Sequence, residues 1–295
     1  MHPVIDIKGV SKRYSKNPHF ELKPLDFTVE EGTITGLVGA NGAGKTTLIK
    51  LILNLIRRDA GSIQVLDKDN IADEAEIKQQ IGVVFDEPCF HEILSPKDIG
   101  GYLKGVYRDW DDGYYTRLLD RFGLPADKAF KTFSRGMKMK LSIASAMCHY
   151  PRLLILDEPT GGLDPLVRDE ILDLFLEYLQ EEDRSILLSS HITSDLDKVA
   201  DSIALIHEGR LLFHEEKDAL RDKYALVRCG EQELAEINPD AVVGVRKNAF
   251  GAEALCLSRE IALRHPHLTA ERPTIEEIML FFTKDAVVHS AGGRR

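Results

Sequence analysis

Eight consecutive residues, Gly39-Ala40-Asn41-Gly42-Ala43-Gly44-Lys45-Thr46, carry the clearest chemistry in the chain. Glycines at these positions let backbone N–H groups converge on phosphate oxygens, and a helix that begins there adds the positive end of its dipole. Lys45 supplies a point charge for β- and γ-phosphates; Thr46 supplies a hydroxyl for Mg²⁺, with Thr47 beside it. The segment follows an apolar run at 33–38 and precedes a helical stretch at 46–56, the strand–loop–helix context such a loop requires. These residues predict a site for a nucleoside triphosphate.

A second set of groups completes that site. Leu153-Leu154-Ile155-Leu156-Asp157-Glu158 reads as a buried strand that delivers two carboxylates at its carboxyl end, where open α/β sheets bind ligands. Asp157 is expected to hold Mg²⁺ through water. Glu158 is expected to orient and deprotonate the attacking water.

The elements that must position these groups follow from pattern. Continuous apolar runs at 33–38, 81–85, 153–156 and 186–188 read as parallel strands buried on both faces. Helix signals lie between them. Ser95-Pro96-Lys97-Asp98 offers an N-cap, a proline at the first helical position and an acid at the third. Asp164-Pro165 opens another helix, with Leu166, Val167, Ile171, Leu174 and Phe175 expected on one apolar face. Strands alternating with helices predict a doubly wound α/β architecture.

Past a boundary near 213–218, short candidate strands at 225–228, 242–245 and 254–257 precede Thr274 and Glu277, which have capping-box spacing. The expected domains are 1–218, with a helical portion at about 87–150, a small α+β appendage at 219–285, and a tail at 286–295. The appendage is expected to be dispensable for folding and nucleotide binding, because every motif precedes it.

Composition narrows the function. Hydrophobic residues are 43% and charged residues 29%, an ordinary globular mixture rather than a disordered one. The net charge of −10, concentrated in the first 215 residues, argues against broad nucleic-acid affinity. No run approaches membrane-spanning length and no secretory signal opens the chain, so it is expected to be soluble and to reach any membrane through a partner. The four cysteines, Cys89, Cys148, Cys229 and Cys256, are too scattered for a zinc site or a disulfide framework and read as small buried apolar residues of a reducing compartment.

Over about residues 4–215 the chain resembles the nucleotide-binding subunit of ABC transporters. Phe133-Ser134-Arg135-Gly136-Met137, opening a helix at 138–149, resembles the family's LSGGQ signature and keeps Ser134 and Gly136. The resemblance implies a P-loop ATPase fold with a parallel sheet core, an antiparallel β subdomain and a helical subdomain. It implies that Ser134, Arg135 and Gly136 contact nucleotide held by a second copy, or by a homologous ATPase subunit, in a head-to-tail sandwich. Thr160-Gly161-Gly162-Leu163-Asp164 resembles the D-loop that crosses that interface. His191, after Leu187-Leu188-Ser189-Ser190, resembles the histidine that contacts the γ-phosphate, and Tyr14 the aromatic residue that stacks on adenine.

Three positions depart from the family. Ala40 stands where many members have proline, a change in loop stiffness. Arg135 replaces the first signature glycine and either faces solvent or adds charge toward phosphate. Asp86 occupies the position of the Q-loop glutamine. It reads as a Mg²⁺ ligand, as a charge repelling the γ-phosphate, or as a solvated acid before a turn.

The resemblance implies an ATP- and Mg²⁺-dependent ATPase, cytoplasmic and peripheral on the inner face of the cell membrane, that powers a separate permease. The motion would pass through the segment at 86–94. The appendage is similar to that of single-cassette exporters of the drug and antibiotic type. A ribosome- or nucleic-acid-directed ABC ATPase is the alternative. There is one phosphate loop here, the interval between Lys45 and Asp157 has no sustained heptads, and the charge is acidic, so transport is the stronger reading and no nucleic acid is expected. A phosphotransferase would leave the signature and the His191 segment unexplained.

Overall fold

The computed structural model describes residues 2–14, 17–181, 183–248 and 251–283; the expected tail at 286–295 lies outside them. The chain runs β1 (Pro3–Tyr14), β2 (Asn17–Glu30), β3 (Ile34–Val38), α1 (Lys45–Ile52), β4 (Ala60–Val65), β5 (Lys68–Asp69), α2 (Glu74–Gln80) and β6 (Ile81–Val84). Next come α3 (Pro96–Lys104), α4 (Asp112–Arg121), α5 (Arg135–Met147), β7 (Leu153–Asp157), α6 (Pro165–Leu179), β8 (Ser185–Ser190), α7 (Thr193–Val199), β9 (Ser202–His207) and β10 (Arg210–Glu216). It ends with α8 (Lys217–Lys223), β11 (Tyr224–Cys229), α9 (Glu231–Glu236), β12 (Val242–Asn248), β13 (Gly251–Leu257), α10 (Ser258–Arg264), β14 (Ala270–Glu271) and α11 (Ile275–Thr283).

Six strands form the central sheet in the order β10-β9-β3-β8-β7-β6, parallel throughout except for β10 on one edge. Every residue of β3, β7 and β8 is buried, as strands covered on both faces must be. Alternate side chains enter different cores. Leu153 and Ile155 join the cluster under α1 and the antiparallel sheet β2-β1-β4-β5, while Leu154 and Leu156 join the cluster under α3–α7.

Local signals set the helix starts. Ser95 Oγ accepts from Asp98 N at 3.2 Å while Asp98 Oδ2 accepts from Ser95 N at 3.0 Å, a complete capping box. Asp164 and Ser134 cap α6 and α5 in the same sense. The expected apolar face of α6 is one residue too generous. Ile171, Leu174 and Phe175 are buried and Val167 partly so, but Leu166 is 83% exposed. At about 100° per residue it stands roughly 140° around the helix from Ile171. The cysteines also divide: Cys148 and Cys256 are buried, whereas Cys89, in the loop leaving β6, is exposed and Cys229, ending β11, is partly so.

The antiparallel sheet β12-β13-β11-β14 follows the central one, yet α11 packs back on α7. Ile275, Ile278 and Phe281 are buried in the same cluster as Leu196 and Val199, and Phe282 sits edge-on to Phe213 with ring centroids 5.3 Å apart. A chain ending near Lys217 would uncover this part of the cluster, a cost that the order of the motifs along the chain does not register. No helix among the described residues is long and apolar enough to cross a membrane.

The signature helix α5 is anchored at its far end. A Cβ on Gly82 would lie 2.3 Å from Ala146 O, so β6 and α5 meet backbone to backbone and only glycine fits. Just beyond, His149 is buried, stacks on Tyr107 at 3.8 Å between ring centroids, and donates Nε2–H to Ile81 O at 3.0 Å. Its Nδ1 has no partner among the described residues, and burial holds the imidazole down at a pKa of about 4. Because the folded pKa is depressed, the stabilisation is full above the ordinary histidine value of 6.5 and is lost as pH falls toward 4. His149→Gln, which cannot titrate, should therefore flatten the loss of stability between pH 6.5 and pH 4, a term of up to about 3 kcal/mol. Urea denaturation of both proteins at pH 7 and pH 4.5 measures it; equal acid losses would remove His149 as their source.

Candidate functional site

The carboxyl ends of β3, β7 and β8 open on one edge of the sheet and bring the predicted groups together. Leaving β3, the chain makes a loop whose first glycine is required by crowding: a Cβ on Gly39 would lie 2.2 Å from Ile206 O of β9. Gly42 (φ 80°) and Gly44 (φ 121°) hold left-handed conformations that a side chain would strain. Helix α1 then starts on Gly44 with no side-chain cap and no acid in its first turn. Its first N–H groups are therefore available to an anion.

Around this loop lies a cleft of about 490 Å³ whose walls include Tyr14, Phe20, Lys45, Thr46, Asp86 and Glu158, together with Asn41, Gly42, Gly44 and Thr47. Tyr14 closes one end, its ring 6.2 Å from Phe20 and its hydroxyl 3.4 Å from Thr47 Oγ1. Phe20 was not legible from motif order: it lies in an antiparallel strand whose sequence carries no nucleotide signature.

At the other end the polar groups interlock. Thr46 Oγ1 donates to Asp157 Oδ2 at 2.7 Å, and Ser189 Oγ donates to Asp157 Oδ1 at 2.6 Å. Glu158 takes a left-handed backbone (φ 52°), uncommon away from glycine, with its N–H 3.1 Å from both the Oγ and the carbonyl oxygen of Ser189. This turn aims the Glu158 carboxylate back into the cleft. Its Oε2 accepts from His191 Nδ1 at 2.6 Å and from His191 N at 3.2 Å. Lys45 Nζ stands 3.1 Å from its Oε1, an electrostatic contact without hydrogen-bond alignment, and donates to Gly39 O at 2.7 Å.

A further layer lies beneath. Asp195 of α7, 2% exposed, accepts from Thr160 Oγ1 at 2.7 Å and pairs with Arg168 Nε at 3.1 Å. Burial pushes its carboxyl above the usual range, opposed by the Thr160 bond and Arg168. With Phe20, Ser189 and Asp195 are the residues of this site that the sequence analysis did not single out. A hydroxyl pair, Ser189-Ser190, ending an apolar strand was the available signal for Ser189.

Ser134, Arg135 and Gly136 stand at the start of α5 and do not line this cleft. Asp86 does line it, with Oδ1 accepting from Arg135 Nη2 at 2.8 Å. The Thr46 hydroxyl and the Asp157 carboxylate, side by side, are hard oxygen donors of the kind that suit Mg²⁺. With a lysine, uncapped helix N–H groups and an aromatic end wall, the cleft can hold a nucleoside triphosphate, and Glu158 can accept a proton from water beside it.

The comparisons with known proteins agree with this geometry. The family profile described as ABC transporter matches residues 22–161. The bacitracin transport ATP-binding protein BcrA of Bacillus licheniformis is 34% identical over 245 residues, spanning 80% of this chain and 78% of its own. The ABC transporter ATP-binding protein YtrB of Bacillus subtilis is 31% identical over 76% of each chain. A solved structure of an ATP-binding subunit of an ABC transporter superposes with a TM-score of 0.67 at 29% identity, covering 74% of this chain and 92% of that one. The chain belongs to the ABC transporter ATP-binding family, and its enzymatic activity is ATP hydrolysis.

Replacing Lys45 with alanine should weaken ATP binding by at least about tenfold, because it removes a charge that solvent cannot replace inside the cleft. Titration of the folded variant with a fluorescent ATP analogue checks this. Undiminished affinity would remove Lys45 from the phosphate site.

Proposed function

We propose, taking membership of the ABC transporter ATP-binding family as premise, that this chain is the ATPase subunit of an exporter. It would drive a separate integral membrane permease by closing with a second copy around two nucleotides. The observation that carries the reading is the cleft lined by Lys45, Thr46 and Glu158, with Asp157 bonded to Thr46, beside a capped, exposed helix start at Ser134–Arg135 that does not line it. One chain thus offers a phosphate cradle and, elsewhere, a helix amino terminus able to meet a phosphate held by another chain. The bacitracin transport relative supports a role in transport.

The division of labour follows from the contacts. Lys45 neutralises the β/γ-phosphates and Tyr14 stacks on the base. Thr46 and Asp157 would hold Mg²⁺, with Asp86 the third expected ligand, and the ion neutralises phosphate charge when bound. Glu158 takes the proton from the attacking water, and His191, donating to its Oε2, holds it in orientation. Ser134, Arg135 and Gly136 serve the other copy's nucleotide.

Docking of the permease is supported by the surface behind Asp86. A cleft of about 140 Å³ is lined by Phe85, Pro88, Cys89, Leu103 and Tyr107. Near it along the chain, Ile93, Tyr102 and Val106 are exposed apolar side chains that a partner helix could cover. The segment at 86–94 joins this surface to the nucleotide cleft through Asp86, and a permease bound there would hold the chain at the membrane's inner face.

Glu158→Gln should bind ATP and hydrolyse it about 10²–10⁴-fold more slowly, since the amide keeps the size but loses the base. With ATP the variant should accumulate as a dimer in light scattering. Wild-type turnover would displace Glu158 from the role of base, and a strictly monomeric variant saturated with ATP would remove the sandwich.

A further inference from the structure

Two of the family departures, Asp86 and Arg135, lie on different elements: the loop leaving β6 and the first position of α5. In the fold they meet. Arg135 Nη2 donates to Asp86 Oδ1 at 2.8 Å, with the two side chains 54% and 49% exposed. The guanidinium also lies against the turn that follows Glu158. A Cβ on Gly162 would sit 3.2 Å from Arg135 Cζ, and one on Gly161 would sit 3.8 Å from both Arg135 Nη2 and Asp86 Oδ1. That turn is continuous with the hydrolytic residue, because Gly161 N donates to Glu158 O at 3.1 Å.

We propose that Asp86 and Arg135 act as one positioning unit, an ion pair that ties the start of α5 to the Glu158–Gly162 turn and thereby sets how Ser134 and Gly136 face a second copy. The proposal rests on the sandwich reading above. Half-exposed ion pairs contribute little to stability, so what this one supplies is geometry. A planar guanidinium laid on glycine backbone fixes direction in a way that a flexible ammonium does not. Arginine at 135 then stands in for a glycine because aspartate stands at 86, and the two departures are a single change.

The test is a double-mutant cycle with two readouts. In the Glu158→Gln background, Asp86→Ala and Arg135→Ala should each raise the ATP concentration for half-maximal dimerisation about threefold or more, and the double variant should be no worse than either. Without added nucleotide, each single variant should speed amide hydrogen exchange across residues 135–139 equally, again with no further effect in the double. Arg135→Lys should recover part of that protection when Asp86 is present and none with Asp86→Ala. Additive losses in either readout overturn the proposal. If the Glu158→Gln parent never dimerises, the sandwich reading fails by itself, and the exchange cycle still decides whether the pair acts as a unit.

Discussion

A buried carboxylate has to be satisfied, and Asp157 is satisfied by two hydroxyls from separate strand ends. Thr46 comes from the first turn of α1, just after the loop that leaves β3, and Ser189 from the end of β8, one to each oxygen. An ionised group buried without such partners costs several kcal/mol, so the bonds constrain the structure as much as they reward it. They fix the heights at which three adjacent parallel strands stop. The phosphate loop, the Glu158 turn and the His191 segment inherit their relative positions from that agreement.

From this point charge is handed outward in order. Glu158 lies between Lys45 and His191, and the turn that holds it is braced by Ser189. Thr160, two residues on, is held by Asp195 beneath the same turn, and Arg168 ties Asp195 to α6. Asp157 and the Glu158 turn are therefore braced by Ser189, and Thr160 by Asp195, two residues that do not line the cleft. Rigid support of this sort is what lets a carboxylate act as a base at a defined place.

Much of this was legible because the chemistry demands residue types in local order. The loop at 39–46, the apolar strand before Asp157 and the caps at Ser95, Ser134 and Asp164 are contiguous signals whose physics is local. What was not legible depends on distant segments meeting. Nothing near Asp86 announces Arg135, since they lie on separate elements and meet only when α5 docks. Phe20 borders the nucleotide cleft because β2 pairs with β1, and Ile275, Ile278 and Phe281 return to the main core because α11 packs on α7. Leu166 misled for a plainer reason: its apolar character fitted the stripe, but its angle around the helix did not.

The backbone contact between Gly82 and Ala146 has a mechanical consequence. It clamps α5 close to its carboxyl end, while at the opposite end the exposed Arg135 is held by a half-exposed ion pair. A helix clamped at one end is a lever. From Ala146 back to Arg135 the arm is about 17 Å at 1.5 Å per residue, so a tilt of about 10° at the clamp sweeps the helix start through about 3 Å. That distance is comparable to the length of a hydrogen bond, enough to make or break contact with a phosphate. A rotation of the helical portion about the Gly82–Ala146 contact would thus be geared up at the far tip, with no unfolding of the helix between.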